Sequence, residues 1–206
     1  MHPKLPRGGL YAITDGPRPD LLTAADAALR GGAVILQYRD KTMDGARRHA
    51  EASGLQRLCE QHGVLLIIND DVELAAATGA AGVHLGEDDR NPVAARARLG
   101  AGAIIGVSCY DSLARAREAA AAGADYLAFG AFYPTATKPN ARRASPELLR
   151  SAQDFGLPRV AIGGITPDNA RPLLDAGADF LAIVSGVFGQ PDAEAAARRY
   201  AALFTK

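Results

Sequence analysis

Ala27-Ala28-Leu29-Arg30-Gly31-Gly32-Ala33-Val34-Ile35-Leu36-Gln37 reads as the end of a helix, a glycine stop and then an aliphatic strand. Glycine behind the last helical turn can take the left-handed conformation that closes a helix at little cost. The apolar run after it suits a strand buried on both faces. The same phrase returns in Leu74-Ala75-Ala76-Ala77-Thr78-Gly79-Ala80-Ala81-Gly82-Val83-His84-Leu85. It recurs in Gly123-Ala124-Asp125-Tyr126-Leu127-Ala128-Phe129 and in Ala176-Gly177-Ala178-Asp179-Phe180-Leu181-Ala182-Ile183. Such self-similarity marks a fold built from one repeated unit.

Working outward, apolar runs at 10–13, 34–37, 65–68, 82–85, 104–107, 126–129, 160–162 and 181–184 are candidate strands. The segments between them are rich in Ala, Leu, Arg and Glu, which are good helix formers. Strict alternation predicts a parallel sheet, either closed as a (β/α)8 barrel or open and doubly wound. The number of units, and the lack of Gly-x-Gly-x-x-Gly after the first run, favour the barrel. No linker or low-complexity stretch divides the chain, so the expectation is a single-domain α/β protein, a (β/α)8 TIM barrel over residues 1–206.

Composition narrows the partners. Lys+Arg and Asp+Glu both number 23, so no overall basic field exists to hold nucleic acid or an anionic membrane. The N-terminal residues carry no apolar core of a leader, and the aliphatic run Val64-Leu65-Leu66-Ile67-Ile68 is far too short to span a bilayer. Cys59 and Cys109 lack metal-site or disulfide spacing, although Cys109 falls near enough to a strand end to be reactive. A soluble, cytoplasmic chain acting on small molecules is expected, and a homo-oligomer is compatible with it.

In a barrel of this kind the strand C-termini form the active face. Gln37-Tyr38-Arg39-Asp40-Lys41 sets two cations two residues apart as a strand ends, an arrangement suited to a polyphosphate or carboxylate, or else to plain solvated surface. Asn69-Asp70 and Asp89 follow adjacent strands. Their oxygens suit Mg²⁺, which retains waters and shares phosphate oxygens, and equally suit helix N-caps. Gly163-Gly164-Ile165-Thr166-Pro167 predicts a close backbone approach to a ligand, with Thr166 as N-cap and Pro167 opening a helix. Val184-Ser185-Gly186 follows the next strand, and loops after strands seven and eight are the usual phosphate cradle of the barrel. The long loop Tyr133-Pro134-Thr135-Ala136-Thr137-Lys138 could wrap a second anionic group. His84, inside a strand, reads as a hydrogen-bonded core histidine. No Ser-His-Asp or Cys-His constellation is present.

Taken in order, Leu10-Tyr11-Ala12-Ile13-Thr14-Asp15, Gln37-Tyr38-Arg39-Asp40-Lys41, Asn69-Asp70 and Val83-His84-Leu85-Gly86 with Asp89 resemble the thiamine phosphate synthase family. Gly106-Val107-Ser108, Pro134-Thr135-Ala136-Thr137-Lys138, Ile162-Gly163-Gly164-Ile165 and Val184-Ser185 extend the resemblance almost end to end. The resemblance implies a transferase joining 4-amino-2-methyl-5-hydroxymethylpyrimidine diphosphate to 4-methyl-5-(2-phosphooxyethyl)thiazole by a dissociative path in which the aminopyrimidine stabilises the cation, with thiamine monophosphate and pyrophosphate as products. It implies that Gln37, Tyr38, Arg39, Asp40, Lys41, Asn69, Ser108 and Lys138 contact the pyrimidine diphosphate, with Arg39, Lys41, Ser108 and Lys138 catalytic. It implies further that Asp70 and Asp89 hold Mg²⁺, and that Thr135, Ala136, Thr137, Gly164, Val184 and Ser185 hold the thiazole phosphate. Glu87 stands where the family often has Gln, and Tyr110 where many members have His. Two other readings compete: a thiazole tautomerase-like paralogue and a non-catalytic barrel that binds thiazole phosphate or thiamine phosphate. The carboxylates and cations favour the synthase, because a proton shuttle would not need them.

Overall fold

The computed structural model describes residues 5–87, 91–134 and 142–205. Among these, strands and helices alternate from the start: β1 (Gly9–Ile13), α1 (Leu21–Arg30), β2 (Ala33–Tyr38), α2 (Gly45–His62), β3 (Leu65–Asn69), α3 (Val72–Thr78), β4 (Gly82–Leu85) and α4 (Pro92–Leu99). The second half continues with β5 (Ile104–Tyr110), α5 (Leu113–Ala121), β6 (Tyr126–Phe129), α6 (Pro146–Ser151), β7 (Arg159–Ile162), α7 (Arg171–Asp175), β8 (Phe180–Ile183), α8 (Ser185–Phe188) and α9 (Ala193–Ala201). Each strand pairs in parallel with the next, and β8 returns to β1, so the sheet closes in sequence order. This is the (β/α)8 barrel that the repeat predicts. Among the described residues no helix is long and apolar enough to cross a membrane.

Two-residue alternation along each strand separates two apolar layers. Inside the barrel, Tyr11, Ile35, Ile67, Ile104, Tyr126, Val160 and Phe180 pack on one another, joined by Leu5 from just before β1. Outside it, Leu10, Leu36, Leu66, Val83, Ile105, Leu127 and Leu181 pack beneath the helices. Full burial of such a side chain is worth roughly 1.5–3 kcal/mol, so the sheet is fixed from both faces and its register with it.

The helices begin where short polar side chains replace the missing intrahelical partners. Asp44, Asp71, Asn91, Ser112 and Asp192 each accept a bond from a first-turn amide. Gly63 and Gly79 close α2 and α3 in the left-handed conformation. The opening phrase behaves slightly differently: Gly31 stays right-handed against α9, and Gly32 takes the positive φ of 97°.

Candidate active site

A cavity of about 1340 Å³ opens where the strands end. Near the ends of β2 to β5 the inward-facing residues Gln37, Asn69, His84 and Ser108 all line it. On β6, β7, β8 and β1 the corresponding positions are Ala128, Ile162, Ala182 and Ile13, and these line it too. One half of the floor therefore offers donors and acceptors, and the other half offers only aliphatic carbon.

Alternation continues past the end of β2 and sorts the charged segment. Arg39 and Lys41 line the cavity, whereas Tyr38 and Asp40 point behind it. The Asp40 side chain has no exposed surface; its carboxylate accepts from the Thr42 amide at 2.7 Å and meets the Arg47 guanidinium at 2.6 Å. Burial alone would raise the Asp40 carboxyl, but the Thr42 bonds and Arg47 outweigh it and hold it below the ordinary range. Arg47 also chelates Glu51, whose other partner is the Tyr38 hydroxyl at 2.6 Å. Burial and the neighbouring Glu51 push that phenol upward. These two expected substrate contacts instead form the bracket that holds the cation-bearing loop. On the inner side, Thr14 Oγ1 accepts from the Arg39 amide at 2.8 Å and ties the loop to the end of β1.

Behind β3, three consecutive polar residues take three different tasks. Asn69 ends the strand facing the cavity. Asp71 caps α3, accepting from the Leu74 amide at 2.9 Å, and pairs with Arg48 at 2.9 Å. Asp70 between them adopts φ 64°, a left-handed conformation that Asp tolerates better than most residues. That turn places its carboxylate in the cavity, 3.4 Å from the Lys41 ammonium. The capping alternative thus falls to Asp71, and Asp70 faces the ligand space. Asp89, the other expected metal ligand, lies outside the described residues. Among the described residues no cluster of three or more His, Cys, Asp or Glu side chains is brought together.

Beneath the polar half runs a buried chain of side chains that sequence reasoning did not assemble. His84 is 9 % exposed and meets the Ser108 hydroxyl at 2.9 Å and the Tyr126 hydroxyl at 3.0 Å. Tyr126 meets Tyr11 at 2.8 Å, and Tyr11 meets the Gln37 amide nitrogen at 2.7 Å. Gly106 makes room for it, because a side chain there would collide with the Tyr126 ring. The available signal was the inward parity of two strand tyrosines, whose hydroxyls need partners once buried.

The loop after β7 folds back on the loop after β6. Gly163 and Gly164 have φ of 102° and 65°, and a Cβ on Gly164 would run into Pro134 and Tyr133. The close approach that these glycines permit is thus to neighbouring backbone as well as to the cavity they line. Thr166 and Pro167 do not begin a helix: Asn169 accepts from the Thr166 amide at 2.8 Å and closes a turn, and α7 starts at Arg171 with Pro172 in its first turn. Val184 and Ser185 line the cavity beside this loop. Thr135, Ala136, Thr137 and Lys138 lie outside the described residues.

Three further positions are informative. Glu87 pairs with Arg142 at 3.5 Å, and the same guanidinium lies over the Tyr110 ring, 5.5 Å from its centre. The added negative charge at Glu87 therefore has a counter-cation, also on the cavity wall. Cys109 faces outward under the helices rather than the cavity, and burial pushes its thiol up to about 12. It is not the reactive rim group suggested by its place in the sequence.

Known proteins resemble the chain throughout. A family model described as thiamine monophosphate synthase matches residues 10–187. A thiamine-phosphate synthase of Xanthomonas campestris pv. campestris is 57 % identical over 199 residues, covering 96 % of both chains. One from Halorhodospira halophila is 56 % identical over 195 residues, covering 94 % of this chain and 93 % of the other. Among solved structures, thiamine phosphate pyrophosphorylase from Pyrococcus furiosus superposes with a TM-score of 0.85 at 35 % identity and covers 94 % of each chain. With matches of this identity along nearly its whole length, the chain belongs to the thiamine monophosphate synthase family.

Proposed function

We propose that the chain joins 4-amino-2-methyl-5-hydroxymethylpyrimidine diphosphate to 4-methyl-5-(2-phosphooxyethyl)thiazole, forming thiamine monophosphate and releasing pyrophosphate. The observation that carries this reading is the two-sided cavity. Arg39, Lys41, Asn69, Asp70 and Ser108 gather on one side, and the Gly163-Gly164 loop with Ser185 stands on the other. Two phosphorylated substrates can thus enter one space from separate anchor points.

The bond from the pyrimidine's methylene carbon to the diphosphate oxygen breaks first, the aminopyrimidine stabilises the cation so formed, and the thiazole ring nitrogen then attacks that carbon. The nitrogen already owns its lone pair, so the reaction needs no strong general base. Its difficulty lies in the charge that builds on the departing diphosphate. Arg39 and Lys41 neutralise it, and Asn69 and Ser108 add neutral hydrogen bonds. The Ser185 hydroxyl and the glycine-loop backbone hold the thiazole phosphate, which keeps the nucleophile in line. Val184, Ile162 and Ala182 supply the apolar wall on that side.

The donor set also fits Mg²⁺. Such an ion takes one or two carboxylates with substrate phosphates and waters, and Asp70 is a carboxylate freed from helix capping within the cavity. Asp70 would hold it, with Asp89 the second ligand by sequence. When bound, the ion would lower the charge on the leaving diphosphate.

Supplying both substrates with Mg²⁺ and following pyrophosphate tests the proposal. Release that requires both substrates is expected. Binding without turnover, or turnover of the thiazole alone, would overturn it.

A further inference from the structure

Five side chains connect across the barrel interior, and each link has a defined length: Gln37 Nε2 to the Tyr11 hydroxyl, 2.7 Å; Tyr11 to Tyr126, 2.8 Å; Tyr126 to His84 Nδ1, 3.0 Å; His84 Nε2 to Ser108 Oγ, 2.9 Å. Tyr11, Gln37 and Tyr126 are at most 2 % exposed, so the links among them are shielded from water. The Tyr126 ring stacks on the imidazole at an interplanar angle of 16° and fixes its plane.

The first link decides the rest. An amide NH₂ donates and cannot accept, so the Tyr11 oxygen receives a proton there. The proton of Tyr11 then goes to Tyr126, and that of Tyr126 goes to His84 Nδ1. A nitrogen that accepts is bare, so the neutral ring carries its proton on Nε2 and donates it to Ser108 Oγ. The proton of Ser108 is left for the cavity. An imidazolium would break this order: Tyr11 would receive from both neighbours, and its own proton would have no acceptor among these links. A buried polar group left so costs about 1–3 kcal/mol. Turning the Gln37 amide over would reverse every link and make His84 Nε2 an acceptor from Ser108. The two senses support opposite chemistries, a serine that donates to negative charge or a serine activated by a base.

We propose that the chain runs from Gln37 to Ser108, so that Tyr11, Tyr126 and His84 are positioning residues that dedicate the Ser108 hydroxyl to donating toward the leaving diphosphate. This rests on the reaction proposed above, which needs a donor at the leaving group and no base at the nucleophile. Burial also raises both phenols, so each keeps the proton it passes along.

Long-range ¹H–¹⁵N NMR of the imidazole tests the direction without any turnover, with His84→Asn identifying the signal. In the wild-type protein Nδ1 should show the shift of a bare nitrogen and Nε2 that of a protonated one. Gln37→Glu replaces the amide by a carboxylate that only accepts, so the two nitrogens should exchange their shifts. Tyr126→Phe, whose side chain lies below the cavity, should lose the single tautomer. It should also lower kcat about tenfold or more while KM for the pyrimidine diphosphate stays within about threefold. A protonated Nδ1 in the wild type, or shifts unmoved in both Gln37→Glu and Tyr126→Phe, would overturn the proposal. Should Gln37→Glu fail to fold, wild type and Tyr126→Phe decide it alone. Absence of pyrophosphate release by the wild type would sink the reaction while leaving the tautomer reading to its own result.

Discussion

The Lys41 ammonium stands 3.4 Å from the Asp70 carboxylate, while Asp71, the next residue, is turned away to cap α3. One dipeptide thus divides into a structural carboxylate and a ligand-facing one, separated by the left-handed φ of Asp70. Asp70→Asn should raise the Mg²⁺ concentration needed for half-maximal pyrophosphate release by about tenfold or more, because a charged ligand becomes a neutral one. Helix content should be unchanged, since the cap is Asp71. A metal titration that overlays the wild type would remove Asp70 from the metal site.

Gly164→Ala tests the other side of the cavity. The substitution places a Cβ against Pro134 and Tyr133 and asks alanine to hold φ 65°. The conformation alone costs about 1–2 kcal/mol, so the melting temperature should fall. KM for the thiazole phosphate should rise several-fold, and KM for the pyrimidine diphosphate should change little. Equal changes in both constants would show that the two anchor points are not independent.

The bracket behind the cation loop should reveal itself through pH. The Asp40 carboxyl is held below its ordinary value, so its contribution to stability is fully present above the unfolded-state value near 3.9 and is lost as pH falls through the folded-state value. Asp40→Asn should lower stability at neutral pH by roughly 1–3 kcal/mol and flatten the acid limb of the melting curve below about pH 4. An acid limb identical to that of the wild type would exclude Asp40 as its source.

Thiol chemistry offers a fourth check. Cys59 and Cys109 are buried, and burial raises both thiols to about 12. Alkylation at pH 8 should therefore be slow in the folded protein and rapid in denaturant. Fast modification of the native chain, located by mass spectrometry, would contradict the burial of Cys59 in α2 or of Cys109 in β5.

The barrel was legible because strands buried on both faces leave unbroken apolar runs, and glycine marks the ends of helices between them. The expected and observed strands coincide at β4 and β6 and differ by one residue at one or both ends elsewhere, except at β5, which continues three residues further to Tyr110. The segment from Gln37 to Lys41 was less legible. Family resemblance carried it over as one block, yet alternation sends Gln37, Arg39 and Lys41 inward and Tyr38 and Asp40 outward. Thr166-Pro167 had the residue types of a helix start, but the Asn169 side chain captures the Thr166 amide first. Tyr11 and Tyr126 stood in expected strands with no role read for either. Only the closed sheet brings residues 115 positions apart within 2.8 Å, a relationship that spacing along the chain does not encode.

The division of the cavity floor has a consequence for engineering. Its polar wall is drawn from residues 37–108 and its glycine wall from residues 163–186, two stretches that do not interleave along the chain. A crossover between homologous genes in α5 would take the polar residues up to Ser108 from one parent and the glycine wall from the other, with Tyr126 and Arg142, which bond to the polar side, coming along with the glycine wall. Chimaeras of that design could recombine the phosphate preference of one parent with the leaving-group tolerance of another.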